Sequence, residues 1–209
     1  SKAELFDLIR AAHACGIQVY ADVVFNHNSG ADANELNPMD DRERWTKFAP
    51  KSGKFTRDYK CFHPSPYEMW DGMTFGDMPD LCHRNPYVYT QLIEYAKWMI
   101  EDIGFDGFRY DCVKGYGGWM ARAIQELRAL RQGKPYKPYG VGECWDRTRV
   151  IGDWLDETNA WSDNPVGAFD FPLRDRLKNL CDSFDYSLRN LAAGGVLCKD
   201  RPFEAVTFV

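Results

Sequence analysis

No run of apolar residues in this chain approaches the roughly 18 that a membrane-spanning helix needs. Positive charge is in short supply as well: 26 Lys and Arg stand against 31 Asp and Glu, a net charge of -5. That balance argues against nucleic acid or an anionic membrane as a partner and favours a neutral or cationic ligand. Neither GxGxxG nor GxxxxGK[ST] follows any candidate strand, so the usual signatures of nucleotide-binding sheets are missing. The seven cysteines form no CxxC pair, and their odd number leaves at least one unpaired or paired outside this chain; they do not decide the compartment. No secretory leader, low-complexity tract or short repeat is visible. Aromatics, by contrast, are plentiful at 15%, with seven Trp and eleven Tyr, enough for a core and for a surface that stacks on flat ligands such as sugar rings. At 209 residues, with 44% hydrophobic and 27% charged, the composition is that of one large globular domain.

The pattern along the chain is a run of βα units. SKAE is a capping box, and Leu5, Leu8, Ile9 and Ala12 continue it at helical spacing up to a stop at Gly16. IQVYADVVFNH reads as a buried strand. A second helix opens at Asn85-Pro86, carries Leu92, Ile93, Ala96, Met99, Ile100 and Ile103, and ends at Gly104 before the strand FDGFRYD. Met120, Ala123, Ile124, Leu127 and Leu130 predict a third helix closed by Gly133, with a Pro-containing loop and the short strand YGVGE after it. A helix around Val150 to Leu155, the strand GAFDF, helical sequence from Leu173 to about Leu191 and the strand EAVTFV complete the series. Five candidate strands with helical crossovers imply a parallel sheet, either doubly wound or most of a (β/α)8 barrel. The strand ends carry Asn26 and His27, then Arg109 and Asp111, then Glu143, and chemistry gathered at successive strand ends favours the barrel. The expectation is therefore an α/β fold: an incomplete (β/α)8 barrel of about five strands, beginning on a helix and stopping in a strand. The stretch from Asn28 to Arg84 is too long for a βα loop. We read residues 1–27 and 85–209 as barrel and 28–84 as a small inserted domain over the same face.

Within GFDGFRYDCVKG, Arg109 and Asp111 share one face of a strand, which places a cation beside a carboxylate and favours its ionised form. Alone, this is equally a local ion pair. Glu143, however, ends the next strand, and neighbouring strands lie about 4.8 Å apart. Retaining glycosidases hold their two carboxyl groups about 5 to 5.5 Å apart. An apolar surround and a nearby anion would raise the pKa of Glu143 and keep it protonated, as a general acid requires. As a bare pair, two surface acids explain the sequence about as well.

The motifs DVVFNH (22–27), GFRYDCVKG (107–115) and GECW (142–145), in that order, resemble the strand-end signatures of the α-amylase family of glycoside hydrolases. MPDLCH (78–83) resembles the family's short motif in the domain inserted after the third barrel strand, and the likeness continues through FDF (169–171) to AVTFV (205–209). FHPSPYEMWDGMTFGDMPDLCH together with DCVKGYGGW looks closest to calcium-dependent α-amylases of archaeal and related bacterial type. The resemblance implies that Asp111 is the catalytic nucleophile and Glu143 the general acid/base. It places Arg109 beside the nucleophile and His27 on the sugar in the cleaved subsite, Lys114 and Gly115 on the leaving-group side, and Trp145 along the same groove. It further implies a structural Ca²⁺ held by Asn26, Asp71, Asp80 and the backbone carbonyls of Met73 and Gly115, an oxygen-rich set that suits the ion. A second metal, Zn²⁺, in some relatives sits on two His and a Cys; His63 and Cys82 match, and Glu68 stands where the second His would be, a ligand type zinc accepts.

The implied activity is retaining endo-hydrolysis of α-1,4-glucosidic bonds in starch-like polymers by a monomer. Alternatives are a maltooligosaccharide-forming, debranching or transglycosylating relative, or a non-catalytic carbohydrate-binding one. The family's third carboxylate, the Asp of an Asn-His-Asp signature, is expected after Val209. Polymer substrate and calcium together imply secretion.

Overall fold

In the computed structural model, which describes residues 1–184 and 187–208, the capping box forms as read. The Ser1 hydroxyl accepts the Glu4 N–H at 3.4 Å and opens α1 (Lys2–Ala14). Gly16, in the left-handed region at φ +72°, turns the chain into β1 (Tyr20–Val23). A hairpin of β2 (Ala33–Asn37) and β3 (Arg42–Lys47) follows and stands apart from the main sheet. The segment is closed on itself by the antiparallel bridge Phe62 to Leu81 and folds back onto the residues after β1 through the bridge His27 to Asp80 and the Leu81 N–H, which donates to the Asn26 carbonyl at 2.9 Å.

Asn85 caps α2 (Pro86–Trp98), its side chain accepting the Tyr87 N–H at 2.9 Å. A single π turn, Met99–Ile103, extends the helix to Gly104 at φ +96°. Next come β4 (Gly107–Tyr110) and α3 (Gly117–Gln125). Here the structure corrects the sequence reading. The third helix stops at Gln125, and Leu130, expected inside it, belongs to a hairpin of β5 (Ala129–Arg131) and β6 (Lys134–Tyr136). Gln132 and Gly133 both adopt positive φ, the conformation of a two-residue hairpin turn. Tertiary contacts hold the hairpin: the Arg131 guanidinium lies 3.8 Å over the Tyr136 ring and 2.6 Å from Asp106 Oδ1. Helical spacing was present in the sequence, and these contacts override it.

The chain continues through β7 (Tyr139–Gly142), α4 (Thr148–Asn159), β8 (Gly167–Phe169) and α5 (Phe171–Cys181). It ends in a short α6 (Leu197–Asp200) and β9 (Ala205–Val206). The helix expected over 173–191 therefore ends at Cys181, and only a 3-10 turn, Leu188–Ala192, follows; Asp185 and Tyr186 lie outside the described residues, as does Val209.

Strands β1, β4, β7, β8 and β9 form one sheet in that order, every neighbouring pair parallel: five consecutive staves of a barrel with helical crossovers. Val23, Phe108, Tyr110 and Ala168 from the strands pack with Val88, Leu92, Ile100, Met120, Ile124, Ile151 and Leu155 from the helices in a single buried cluster. Burial on both faces explains why β4, β7 and β8 read as near-continuous apolar runs, whereas β1 alternates exposed and buried residues. At the N-terminal end of β4, buried Asp106 accepts the Val19 N–H at 2.7 Å and meets His13 Nε2 at 2.8 Å and Arg131. This one carboxylate pins α1, the entry to β1 and the β5–β6 hairpin together.

Candidate active site

Register decides which side chains meet. Asp22 of β1 pairs with Arg109 of β4, Arg109 with Val141 of β7, and Tyr110 with Gly142. Asp111 and Glu143 therefore follow the last paired positions of adjacent strands. Backbone bonds carry the alignment one residue further: Asp111 N–H donates to the Val23 carbonyl at 3.0 Å, and Glu143 N–H to the Tyr110 carbonyl at 2.8 Å.

A single guanidinium spans the acids. Arg109 pairs with Asp111 Oδ1, reaches Glu143 Oε2 at 3.2 Å, and is itself held by Asp22 Oδ1 at 2.8 Å. Glu143 Oε2 also accepts the Cys112 N–H at 3.0 Å, presented by Cys112 in the left-handed region at φ +48°. Burial raises the pKa of Glu143, assisted by the charge and hydrogen bonding of Asp111; the Cys112 N–H and Arg109 oppose the rise without cancelling it. This is the protonation bias anticipated for an acid catalyst. Asp22 and the Cys112 N–H were not singled out from sequence. Asp22 lies on β1 opposite Arg109 in the strand register, a pairing no local pattern encodes.

His27 is buried, with the Phe75 ring stacked on its imidazole at a centroid distance of 4.5 Å and an interplanar angle of 2°. Burial lowers its pKa against the opposing pull of Asp111. Phe75, in the long inserted stretch, had no sequence signal. Lys114 Nζ donates to the Trp145 carbonyl at 2.9 Å and to Asp146 Oδ2 at 3.1 Å, joining the β4 and β7 loops. The exposed Trp145 ring stacks on Phe171, the first residue of α5, at a centroid distance of 4.8 Å.

Beside the acids lies a group of oxygens short of hydrogen-bond donors. Asn26 Oδ1 and both Asp80 oxygens are buried with no hydrogen-bond partner among the described residues. A Cβ placed on Gly115 would lie 1.5 Å from Asn26 Oδ1, so only glycine admits this approach. Asp71 Oδ2 stands 3.4 Å from His63 Nε2, while its Oδ1 accepts the Met73 N–H at 3.1 Å. Burial, then the charge of Asp71, push the Asp80 carboxyl up to about 8, with His63 working against them. A buried carboxylate, Asp80, with the carboxylate of the exposed residue Asp71 beside it and an orphaned amide oxygen, is the donor set a hard cation satisfies, and the residues present fit calcium. The ligand atoms of His63, Asp71 and Asp80 lie within 4.8 Å of one another, and so do those of His63, Glu68 and Cys82. The two groups share His63.

The family model for the α-amylase catalytic domain matches residues 1–139. The chain is 30% identical to an α-amylase of Geobacillus stearothermophilus over all of its own length and 45% of the relative's. It is 25% identical to the cytoplasmic α-amylase of Escherichia coli, again over its whole length and half of that protein's. Among solved structures, an α-amylase of Geobacillus thermoleovorans complexed with acarbose superposes with a TM-score of 0.63 at 25% identity, covering 92% of this chain and 39% of that one. The chain thus spans half or less of the length of these relatives. With the parallel staves and the acid pair at their ends, the family match over residues 1–139 establishes that this chain belongs to the α-amylase catalytic-domain family.

Proposed function

We propose that the protein carrying this chain hydrolyses α-1,4-glucosidic bonds in starch- or glycogen-like polymers with retention of configuration. The observation that carries this reading is the Arg109 guanidinium bridging Asp111 and Glu143 at adjacent strand ends, with the pKa of Glu143 raised. Asp111 attacks the anomeric carbon as Glu143 gives its proton to the departing glycosidic oxygen, leaving a glycosyl ester on Asp111. Glu143, now a base, takes a proton from water, which attacks the same carbon and frees Asp111. Arg109 fixes the carboxylates relative to each other, and His27, held by Phe75, donates to sugar hydroxyls in the cleaved subsite. Trp145 offers a ring face to the leaving chain, and Lys114 fixes the loop that presents it.

Calcium would be held by Asn26, Asp71, Asp80 and the carbonyls of Met73 and Gly115, supplying positive charge that ties the inserted segment to the ends of β1 and β4. The group His63, Glu68 and Cys82 offers the nitrogen, oxygen and sulfur donors of a zinc site. Since it shares His63 with the Asp71–Asp80 group, we assign calcium first. The protein acts as a monomer on its α-glucan. Extracellular placement rests on the polymeric substrate and calcium; a relative named for the cytoplasm shows that family membership does not require export.

Glu143→Gln in the whole protein, with soluble starch as substrate, tests the assignment. Turnover is expected to fall by several orders of magnitude while the thermal transition stays in place, and proton NMR of the wild-type reaction should show the α-anomer first. Near wild-type turnover in the variant, or initial β-anomer, overturns the reading.

A further inference from the structure

We propose a second carbohydrate-binding site on the outer side of α2, away from the acid pair, that takes α-glucan chains. The inference rests on the reading of the protein as an α-glucan hydrolase. The outward face of a barrel helix meets water and is ordinarily polar. Helix α2 buries Val88, Leu92 and Ala96 inward, as expected. Its other face carries Tyr87, Gln91, Glu94 and Trp98, spaced i, i+4, i+7 and i+11, with Tyr95 beside them. This stripe forms one wall of a cleft of about 640 Å³, within the range of small-molecule sites.

The opposite wall is the loop of residues 50–56, pinned at its base by reciprocal backbone bonds of 3.0 Å between Phe48 and Arg57. Tyr87 ties it down again, its hydroxyl donating to the Thr56 carbonyl at 2.8 Å. On the returning limb, Phe55 holds φ +58°, a conformation that costs a bulky residue energy. The strained backbone delivers its ring edge-on to Tyr95 at 5.8 Å. Tyr95 in turn lies nearly parallel to Trp98, 5.9 Å away at 28°. The result is a run of aromatic faces with Gln91 and Glu94 at the edge.

Ring faces flanked by the Gln91 amide, the Glu94 carboxylate and Lys54, with Lys2 Nζ 5.8 Å from the Trp98 ring centroid, offer mixed polar partners and suit a neutral ligand with flat apolar faces and hydroxylated rims. Pyranose rings have that form. None of the lining residues takes part in the acid site. Because α2 runs from the end of the inserted segment back toward the start of β4, a glucan here would be held along the barrel wall. Such a site retains a polymer after one of its bonds is cut, raising the effective concentration of the next.

The test uses the whole protein and the variants Trp98→Ala, Trp98→Phe and Glu94→Ala. Adsorption to granular starch is measured on the Glu143→Gln background, and hydrolysis of a short chromogenic maltotrioside on the active background. Trp98→Ala should weaken adsorption roughly tenfold, the loss of one ring face. Trp98→Phe should restore most of it, and the exposed Glu94→Ala should weaken it roughly threefold. Maltotrioside hydrolysis should be unchanged in all three. Unaltered adsorption in Trp98→Ala and Glu94→Ala overturns the proposal, as does parallel loss of adsorption and maltotrioside hydrolysis, which would indicate a structural role. Absence of maltotrioside hydrolysis in the unsubstituted protein would refute the enzymatic reading alone.

Discussion

Asp80→Asn should change stability in opposite directions with and without calcium. Both Asp80 oxygens are buried and receive no hydrogen bond, and the Asp71 carboxylate lies close by. An unsatisfied buried polar group costs about 1–3 kcal/mol, and more if charged. With its pKa pushed up to about 8, the Asp80 carboxyl must take up a proton on folding at neutral pH, a cost that asparagine of the same shape does not carry, so in EDTA we expect the variant to be more stable by about 1–2 kcal/mol. That corresponds to a rise of about 2–8 °C in Tm for a domain of this size. In calcium the sign reverses, because a carboxylate ligand is lost and affinity in oxygen-ligand sites follows ligand charge. A weakening of about a hundredfold is about 2.7 kcal/mol of lost linkage, more than the gain in EDTA. Thermal unfolding of wild type and variant in EDTA and in millimolar CaCl₂, with calcium titrations by calorimetry, reads both arms. Destabilisation of similar size in both buffers would refute the reasoning, since Asp80 would then be an ordinary structural residue.

Glu143 should set the alkaline limb of kcat/KM. Its raised pKa keeps the acid protonated to higher pH than a free glutamate, and activity should fall as pH rises through it. Asp111→Asn removes the charge that helps raise it, so the Glu143 titration, followed by carbon NMR of the side-chain carboxyl, should move down; an upward or null shift would contradict the pairing. Asp106 is buried, yet hydrogen bonds from Val19, His13 and Arg131 outweigh that burial and lower its pKa. Its contribution to stability is present above about pH 4 and is lost as pH falls through the lowered value. Asp106→Asn should therefore cost about 3 kcal/mol at pH 7 and less at pH 3, checked by denaturant unfolding at both. Gly133→Ala places a Cβ in a left-handed turn position, φ +75°, and should cost about 1 kcal/mol by thermal unfolding.

The helix starts at Ser1 and Asn85 were legible because a cap is a local chemical event, complete within four residues. Staves β4, β7 and β8 were legible because they are buried on both faces and read as apolar runs, and β1 because its sequence is rich in β-branched residues. The β5–β6 hairpin was not, since Leu127 and Leu130 fit a helical stripe, and what decides the backbone there is Arg131 reaching Asp106, twenty-five residues away. Asp111 and Glu143 could be singled out as strand-end acids. Their shared guanidinium could not, because Arg109 reaches Glu143 only through a strand register that no local pattern encodes. Phe75 over His27 belongs to the same class: the long inserted stretch has no period to read, and its return to the barrel is fixed by the bridge at Asp80 and the Leu81 N–H.

The last paired residue of β7 in its ladder with β4 is Gly142, and Glu143 comes next, tied by its N–H to the Tyr110 carbonyl. Its aim is thus a matter of parity. Deleting any one residue of Gly140–Gly142 would leave both acids in the polypeptide yet swing the Glu143 carboxyl to the reverse side of the stave, separated from Asp111. Insertions beyond Cys144 carry no such penalty. Length variation in this protein's lineage should accordingly concentrate in the turns past the acids, while the strands leading up to them keep an invariant count.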